Sequence, residues 1–268
     1  MPDLALTATP LAGSAANADL LLVGPSLGTS VTELWSDCAR LLGVTFAVVG
    51  WDLPGHSRSP AASNGFSVAD LADAVIHLTE NLRREHRSCW YAGVSLGGAV
   101  GLELALRNGP FQAVAAIAAA AKVGEPAAWQ ERASVVRRAG TPVMVEPSSQ
   151  RWLGPGFLDR DPRVAGALLS ALADTDRESY ASACDALAKF DIRERLGDVT
   201  VPLLLIPGSE DVVVTLAQAR DTADSAPGAK AHVLYGCGHL PPAEDPAGLA
   251  AVLTEFFAHD TTTESDNR

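Results

Sequence analysis

Basic residues are the first shortage. The chain carries 20 Lys and Arg against 32 Asp and Glu, a formal charge of -12 with a pI near 4.8. A nucleic-acid surface needs a basic stripe, and the scattered cations form none, so that partner is excluded and the acid excess reads as solubility. Cysteine is scarce too. Cys38, Cys89, Cys184 and Cys237 stand far apart with no C-x-x-C pair, which removes a zinc knuckle or redox dithiol and predicts reduced, mostly buried thiols. No G-x-x-x-x-G-K-[ST] or G-x-G-x-x-G string offers a phosphate cradle. No apolar run approaches the length of a membrane span, and Met1-Pro2-Asp3-Leu4 does not lead from a basic region into a long apolar one. The expectation is a cytoplasmic protein with no membrane partner.

What is present is apolar: 47% of 268 residues, enough to bury a large core. Leu20 to Val23, Thr45 to Trp51, Cys89 to Val94, Ala113 to Ala118, Val201 to Ile206 and Ala231 to Tyr235 read as strands. Helical patterns alternate with them: Val31 to Leu42, a long helix opened by the capping box Ser67-x-x-Asp70, Ala99 to Leu106, Ala217 to Ala226, and Pro246 to Ala258. Such alternation predicts an α/β fold with a mostly parallel central sheet flanked by helices, and ligands at the carboxyl ends of its strands. Between about Gly124 and Phe190 the rhythm turns helical, with tryptophans, arginines, Pro155 and Pro162 and no convincing strand. We expect a core of residues 1–123 and 191–268 with a helical cap, 124–190, inserted into it. The polar stretch Thr261 to Arg268 is expected to fray.

Within this frame Gly93-Val94-Ser95-Leu96-Gly97 fits G-x-S-x-G between a predicted strand and a predicted helix. That context makes it a nucleophile elbow: the glycines permit a sharp turn that lifts the Ser95 hydroxyl clear of the sheet. The Leu96 N–H, at the start of the new helix, then points to where an oxyanion would form. The competing reading, an ordinary tight turn, lacks the strand and helix on either side.

A serine hydroxyl is a weak nucleophile without a base, so Ser95 calls for a histidine and an orienting carboxylate. Of six histidines, His239 lies in the small-residue loop Gly236-Cys237-Gly238-His239-Leu240 after the last predicted strand. His56, on the strand-end loop Asp52 to Ser59, is its rival, with a structural pin as the alternative role. The order serine, acid, histidine expected of this fold favours His239. His77, His86 and His259 fall on helix patterns or ends, and His232 is expected to face outward. The acid should follow the Val201 to Ile206 strand, where Glu210 and Asp211 stand side by side. A second oxyanion donor belongs in the loop Gly24 to Thr29, with Leu27 the candidate and Ser26 one residue away.

Taken together these residues resemble the α/β-hydrolase superfamily over essentially the full chain, and more narrowly the 3-oxoadipate enol-lactonases of the β-ketoadipate pathway of aromatic catabolism. The narrower likeness rests on Ser26-Leu27-Gly28-Thr29 with Trp35, the elbow through Gly98, Arg151-Trp152-Leu153, Asp174-Thr175-Asp176 through Tyr180 and Cys184, Asp211, and Gly238-His239-Leu240. It favours Asp211 over Glu210, since related hydrolases carry the acid in a G-x-x-D after this strand. Two departures stand out. Relatives commonly read G-H-G-x-S where this chain has Gly55-His56-Ser57-Arg58-Ser59, and Pro25-Ser26 replaces the usual histidine-glycine pair before the oxyanion loop, which is similar to the lactonase pattern and unlike a generic lipase.

The resemblance implies hydrolysis of a small lactone or ester by serine acylation, with no metal or organic cofactor. It also implies a substrate carboxylate, for which Arg132 and Arg151, walled by Trp129 and Trp152, are the cap candidates. A carboxylesterase or carbon-carbon bond hydrolase of the same fold, or a non-catalytic ligand receptor on the same scaffold, are the competing functions. Aspartate would stand at position 95 in a dehalogenase or epoxide hydrolase.

Overall fold

The apolar runs form the centre of a seven-stranded sheet, where their side chains are buried on both faces as parallel strands require. In the computed structural model, which describes residues 4–13, 18–83, 86 and 88–263, the strands are β1 (Ala8–Ala12), β2 (Asp19–Gly24), β3 (Phe46–Trp51), β4 (Cys89–Val94), β5 (Ala113–Ile117), β6 (Leu203–Ile206) and β7 (Lys230–Ala231). Their order is β1-β3-β2-β4-β5-β6-β7, and every neighbour pair except β1 with β3 is parallel. Leu20 to Val23 and Ala113 to Ile117 are wholly inaccessible. Each such Val, Leu or Ile contributes about 1.5–3 kcal/mol by leaving water, which outweighs weak local propensity.

The helices start where their caps dictate. Ser30 accepts from the N–H groups of Thr32 and Glu33 to open α1 (Val31–Leu42), and the Ser67 and Asp70 box opens α2 (Val68–Leu82) with both reciprocal bonds made. α3 (Leu96–Ala105) is buried on every side, as a helix with no polar stripe must be. It packs against α2, while α1 packs against the closing helix described below.

From 124 to 190 the described chain is helical: α4 (Pro126–Ala139), α5 (Val145–Trp152), α6 (Phe157–Arg160), α7 (Pro162–Ala173) and α8 (Arg177–Lys189), with α4 lying along α8. The two ends of this segment meet in an antiparallel bridge between Lys122 and Asp191, and the Ile192 N–H donates to the Ala121 carbonyl at 3.0 Å. The chain then forms α9 (Leu216–Ser225), the single turn α10 (Pro241–Glu244) and α11 (Pro246–Thr263).

Three details differ from the sequence reading. β1 is an added strand: Pro10 at its centre hides it from a strand pattern, and as an antiparallel edge strand with a register shift after Pro10 it tolerates the missing N–H. The final strand is Lys230–Ala231, not Ala231 to Tyr235, although the His232 and Leu234 N–H groups still donate to Leu205 and Pro207 at 2.9 and 3.0 Å. Pairing with β6 continues past the strand through these bonds and a parallel bridge between Gly208 and Leu234, until Tyr235 reaches solvent. Helix α11 continues through Thr263, so 261–263 are helical, and the rest of the expected tail, 264–268, lies outside the described residues. Among the described residues, no helix is long and apolar enough to cross a membrane.

Candidate active site

Ser95 sits between β4 and α3 at φ 55° and ψ -111°, a region that costs a non-glycine residue roughly 1–3 kcal/mol. The neighbourhood over-determines it. The Ser95 N–H donates to the Ile117 carbonyl at 2.8 Å, and the Tyr91 hydroxyl holds the Gly97 carbonyl at 2.8 Å. A Cβ on Gly93 would fall on the Gly97 carbonyl, and one on Gly97 would lie 2.5 Å from the Pro25 oxygen, so both glycines are required by space alone. The Gly97 N–H donates to that same Pro25 oxygen at 3.0 Å, tying the elbow to the loop after β2.

That loop is locked from within. Thr29 Oγ1 accepts the Ser26 N–H at 3.1 Å and donates to the Ser26 carbonyl at 2.9 Å, while the Trp35 indole N–H donates to the Gly24 carbonyl at 2.9 Å. The Ser26 N–H is therefore occupied, and the Leu27 N–H has no partner among the described residues. The Leu96 N–H, first in α3, has no helical acceptor either. Gly28 takes φ +83°, and a Cβ there would meet Leu172 and Tyr180 of the cap.

Asp211 and His239 form a buried pair. Asp211 Oδ1 accepts from the Val213 and Val214 N–H groups at 2.7 and 3.0 Å, leaving Oδ2 for His239 Nδ1 at 2.8 Å. A carboxylate oxygen accepts, so this contact suits the tautomer that donates from Nδ1, in which Nε2 carries the lone pair. Nε2 has no partner among the described residues, and the ring lines the same cavity as Ser95. Neighbouring Glu210 is exposed and accepts from its own neighbour, the Ser209 hydroxyl, at 2.9 Å.

His56 is elsewhere. It is buried in its loop with Nδ1 2.9 Å from the Pro54 carbonyl, its ring stacked on Tyr180, and burial holds its pKa down at about 4. Ser57, where relatives commonly have glycine, keeps a positive φ of 46°. His77 and His232 are exposed, His86 Nδ1 lies 2.8 Å from the Ala18 carbonyl, and the His259 side chain lies outside the described residues.

The cap closes over Ser95. Trp129, Arg132, Arg151 and Trp152 all line the cavity, together with Ser26 and Leu27 from the sheet side. Arg132 is wedged: its guanidinium lies 5.5 Å from the Trp129 ring centre and 5.4 Å from that of Tyr180, and it donates to the Tyr180 hydroxyl. Neither Arg132 nor Arg151 has an acidic partner among the described residues, and the Arg132 Nε is buried without one. Met144, Pro147, Ser148 and Val213 complete the lining and were not foreseen. Their helical or loop positions carry no sequence signal, although Ser148 presents a buried hydroxyl with no partner. The free space is about 30 Å³, room for a single water.

A mostly parallel sheet that hands a serine, a carboxylate and a histidine, in that chain order, to the carboxyl ends of its strands is the plan of one large class, the alpha/beta hydrolases. The chain belongs to that family, whose profile it matches over residues 20–252. Its relatives narrow the likeness. The 3-oxoadipate enol-lactonase 2 of Acinetobacter baylyi is 33% identical over 201 residues, 75% of this chain and 74% of that protein. Enol-lactonase 1 of the same organism is 31% identical over 211 residues, 76% of each. Among solved structures, the enol-lactonase from Burkholderia xenovorans LB400 matches with a TM-score of 0.88 and 28% identity, covering 94% of this chain and 96% of that one.

Proposed function

We propose that this hydrolase opens a carboxylate-bearing enol-lactone, 3-oxoadipate enol-lactone, through a Ser95, His239 and Asp211 triad. The observation that carries the substrate class is the pair of arginines without acidic partners among the described residues, on the cavity that Ser95 and His239 share, in a chain whose net charge is -12. In so acidic a chain, cationic side chains left unneutralised beside a nucleophile are placed to receive an anion. The relatives' activity points the same way.

In this mechanism His239 Nε2 takes the Ser95 proton as Oγ attacks the lactone carbonyl. The N–H groups of Leu27 and Leu96 hold the tetrahedral oxyanion, each worth about 3 kcal/mol of transition-state stabilisation. Collapse breaks the ring C–O bond, His239 returns the proton to the departing enol oxygen, and the enol ketonises. Water, deprotonated by His239, then cleaves the acyl-enzyme, while Asp211 holds the imidazole in the Nδ1–H tautomer and stabilises its cation. Small-molecule sites are usually of 300 Å³ or more, so the cavity must widen to admit the lactone, with exposed Arg151 the wall residue freest to move.

The test is a substrate panel on the purified protein. Rapid release of 3-oxoadipate, abolished in Ser95→Ala, is expected. Faster turnover of a neutral ester than of the lactone would favour a carboxylesterase, and absence of turnover with any acyl compound would favour a receptor.

A further inference from the structure

The segment that presents His239 has little regular structure of its own. Gly236 to Leu240 follows a two-residue strand and precedes a single helical turn, yet His239 must keep its place to within a fraction of an ångström. One side chain supplies what the ladder does not. Glu244, only 7% exposed at the end of α10, accepts at Oε1 from the Gly238 and Leu240 N–H groups, both at 3.1 Å. At Oε2 it accepts from Gly238 at 3.0 Å and from Gly154 at 2.6 Å. The carboxylate therefore grips the residues on either side of His239 and, in the same group, the cap chain just after α5.

A second bond runs parallel to it. The His239 N–H donates to the Trp152 carbonyl at 2.8 Å, and Trp152 is a wall of the cavity. The two chains touch closely enough that a Cβ on Gly238 would stand 2.6 Å from the Gly154 nitrogen. We propose that Glu244 is a positioning residue for His239, fixing the histidine loop and joining it to the cap wall at Trp152. This inference rests on the reading of His239 as the base for Ser95.

The chemistry leaves few substitutes. Both oxygens face amide donors, so the group has to be a pure acceptor at both ends, which only an ionised carboxylate is. Glutamine would turn an NH2 toward at least one N–H. Aspartate keeps the acceptors but falls short by one methylene. Burial holds the Glu244 pKa above the ordinary carboxylate range, against the lowering pull of the three amides and of His239.

The experiment follows the rate at which a fluorophosphonate probe labels Ser95, which reports activation by His239 without any choice of substrate. In Glu244→Gln the rate should fall about tenfold to a hundredfold, as expected for a base displaced by an ångström or less. The downfield proton resonance of the His239 to Asp211 hydrogen bond should broaden. Glu244→Asp should recover part of both, and it carries the test alone if the glutamine variant does not fold. Wild-type labelling in Glu244→Gln with an unchanged resonance would overturn the proposal, as would a lowered Tm with labelling and resonance intact. Wild-type protein that resists the probe would instead overturn the reading of Ser95 and His239, and this inference with it.

Discussion

The two walls of the cavity are built on opposite principles. On the sheet side the side chains are anchored within the protein: Asp211 uses both oxygens, His239 has its Nδ1 bonded, and Ser95 is held in a strained turn by backbone contacts, which leaves His239 Nε2 and the Leu27 and Leu96 N–H groups without partners among the described residues. On the cap side they are left open: among the described residues the Nε of Arg132 and the hydroxyl of Ser148 are buried without partners, and Arg151 has no acidic partner. A buried polar atom left unpaired costs roughly 1–3 kcal/mol, so the cap forfeits stability that a ligand can return. The sheet wall is held in place without a ligand. In the proposed function a carboxylate completes the cap wall. The proposed function thus divides chemistry and recognition between the two walls, and substitutions should sort accordingly.

The largest effect belongs to the sheet wall. Ser95→Ala should lower kcat at least about ten-thousandfold while binding of a carboxylate product, measured by calorimetry, persists, because the cap is untouched. If binding fails as well, the division between the walls is wrong. Asp211→Asn should cost about a thousandfold to ten-thousandfold in kcat, since the amide supports the wrong imidazole tautomer. Glu210→Gln, one residue away but turned to solvent, should leave kcat within about twofold of wild type.

The cap wall should respond through binding and selectivity. Arg132→Gln removes the charge while keeping much of the packing between Trp129 and Tyr180. For a carboxylated lactone kcat/KM should fall about a hundredfold, near the worth of a desolvated charge-assisted pair, whereas a neutral ester should change little. An equal loss on both substrates would place Arg132 in the catalytic constellation and erase the contrast.

The same division governs how much could be read in advance. The elbow was legible because geometry there admits few residue types: Gly93 and Gly97 face backbone atoms at distances no side chain can share. The candidate carboxylate and histidine are sought on loops after strands, since parallel topology fixes which chain ends converge, and the choice of Asp211 over Glu210 comes from the family resemblance. Strand β1 was hidden by Pro10, and the shortness of β7 by a sequence that still alternates. On the cap, composition drew attention to tryptophan and arginine, but Ser148 and Met144 sit in helices whose pattern reports only burial. Glu244 had no signal at all, because its role depends on two segments far apart in sequence that meet only in the folded chain. Motifs record backbone constraint well and side-chain recognition poorly.

The smallest effect concerns the join between the walls. His56, from the sheet-side loop, stacks on Tyr180 of α8, the residue that holds Arg132. Burial lowers its pKa from 6.5 to about 4, against the opposing pull of the Pro54 carbonyl and the Asp176 charge. Between those values the unfolded chain binds the proton and the folded one does not, so stability is lost as pH falls from about 6.5 toward 4 and is intact above that window. At pH 5 the loss from this ring alone is roughly 2 kcal/mol relative to pH 7. His56→Phe keeps an aromatic ring against Tyr180 but cannot titrate. Urea melts at pH 5, 6 and 7 should therefore show a shallower fall in the variant than in wild type. Parallel curves would mean that the imidazole is not held neutral where core and cap meet.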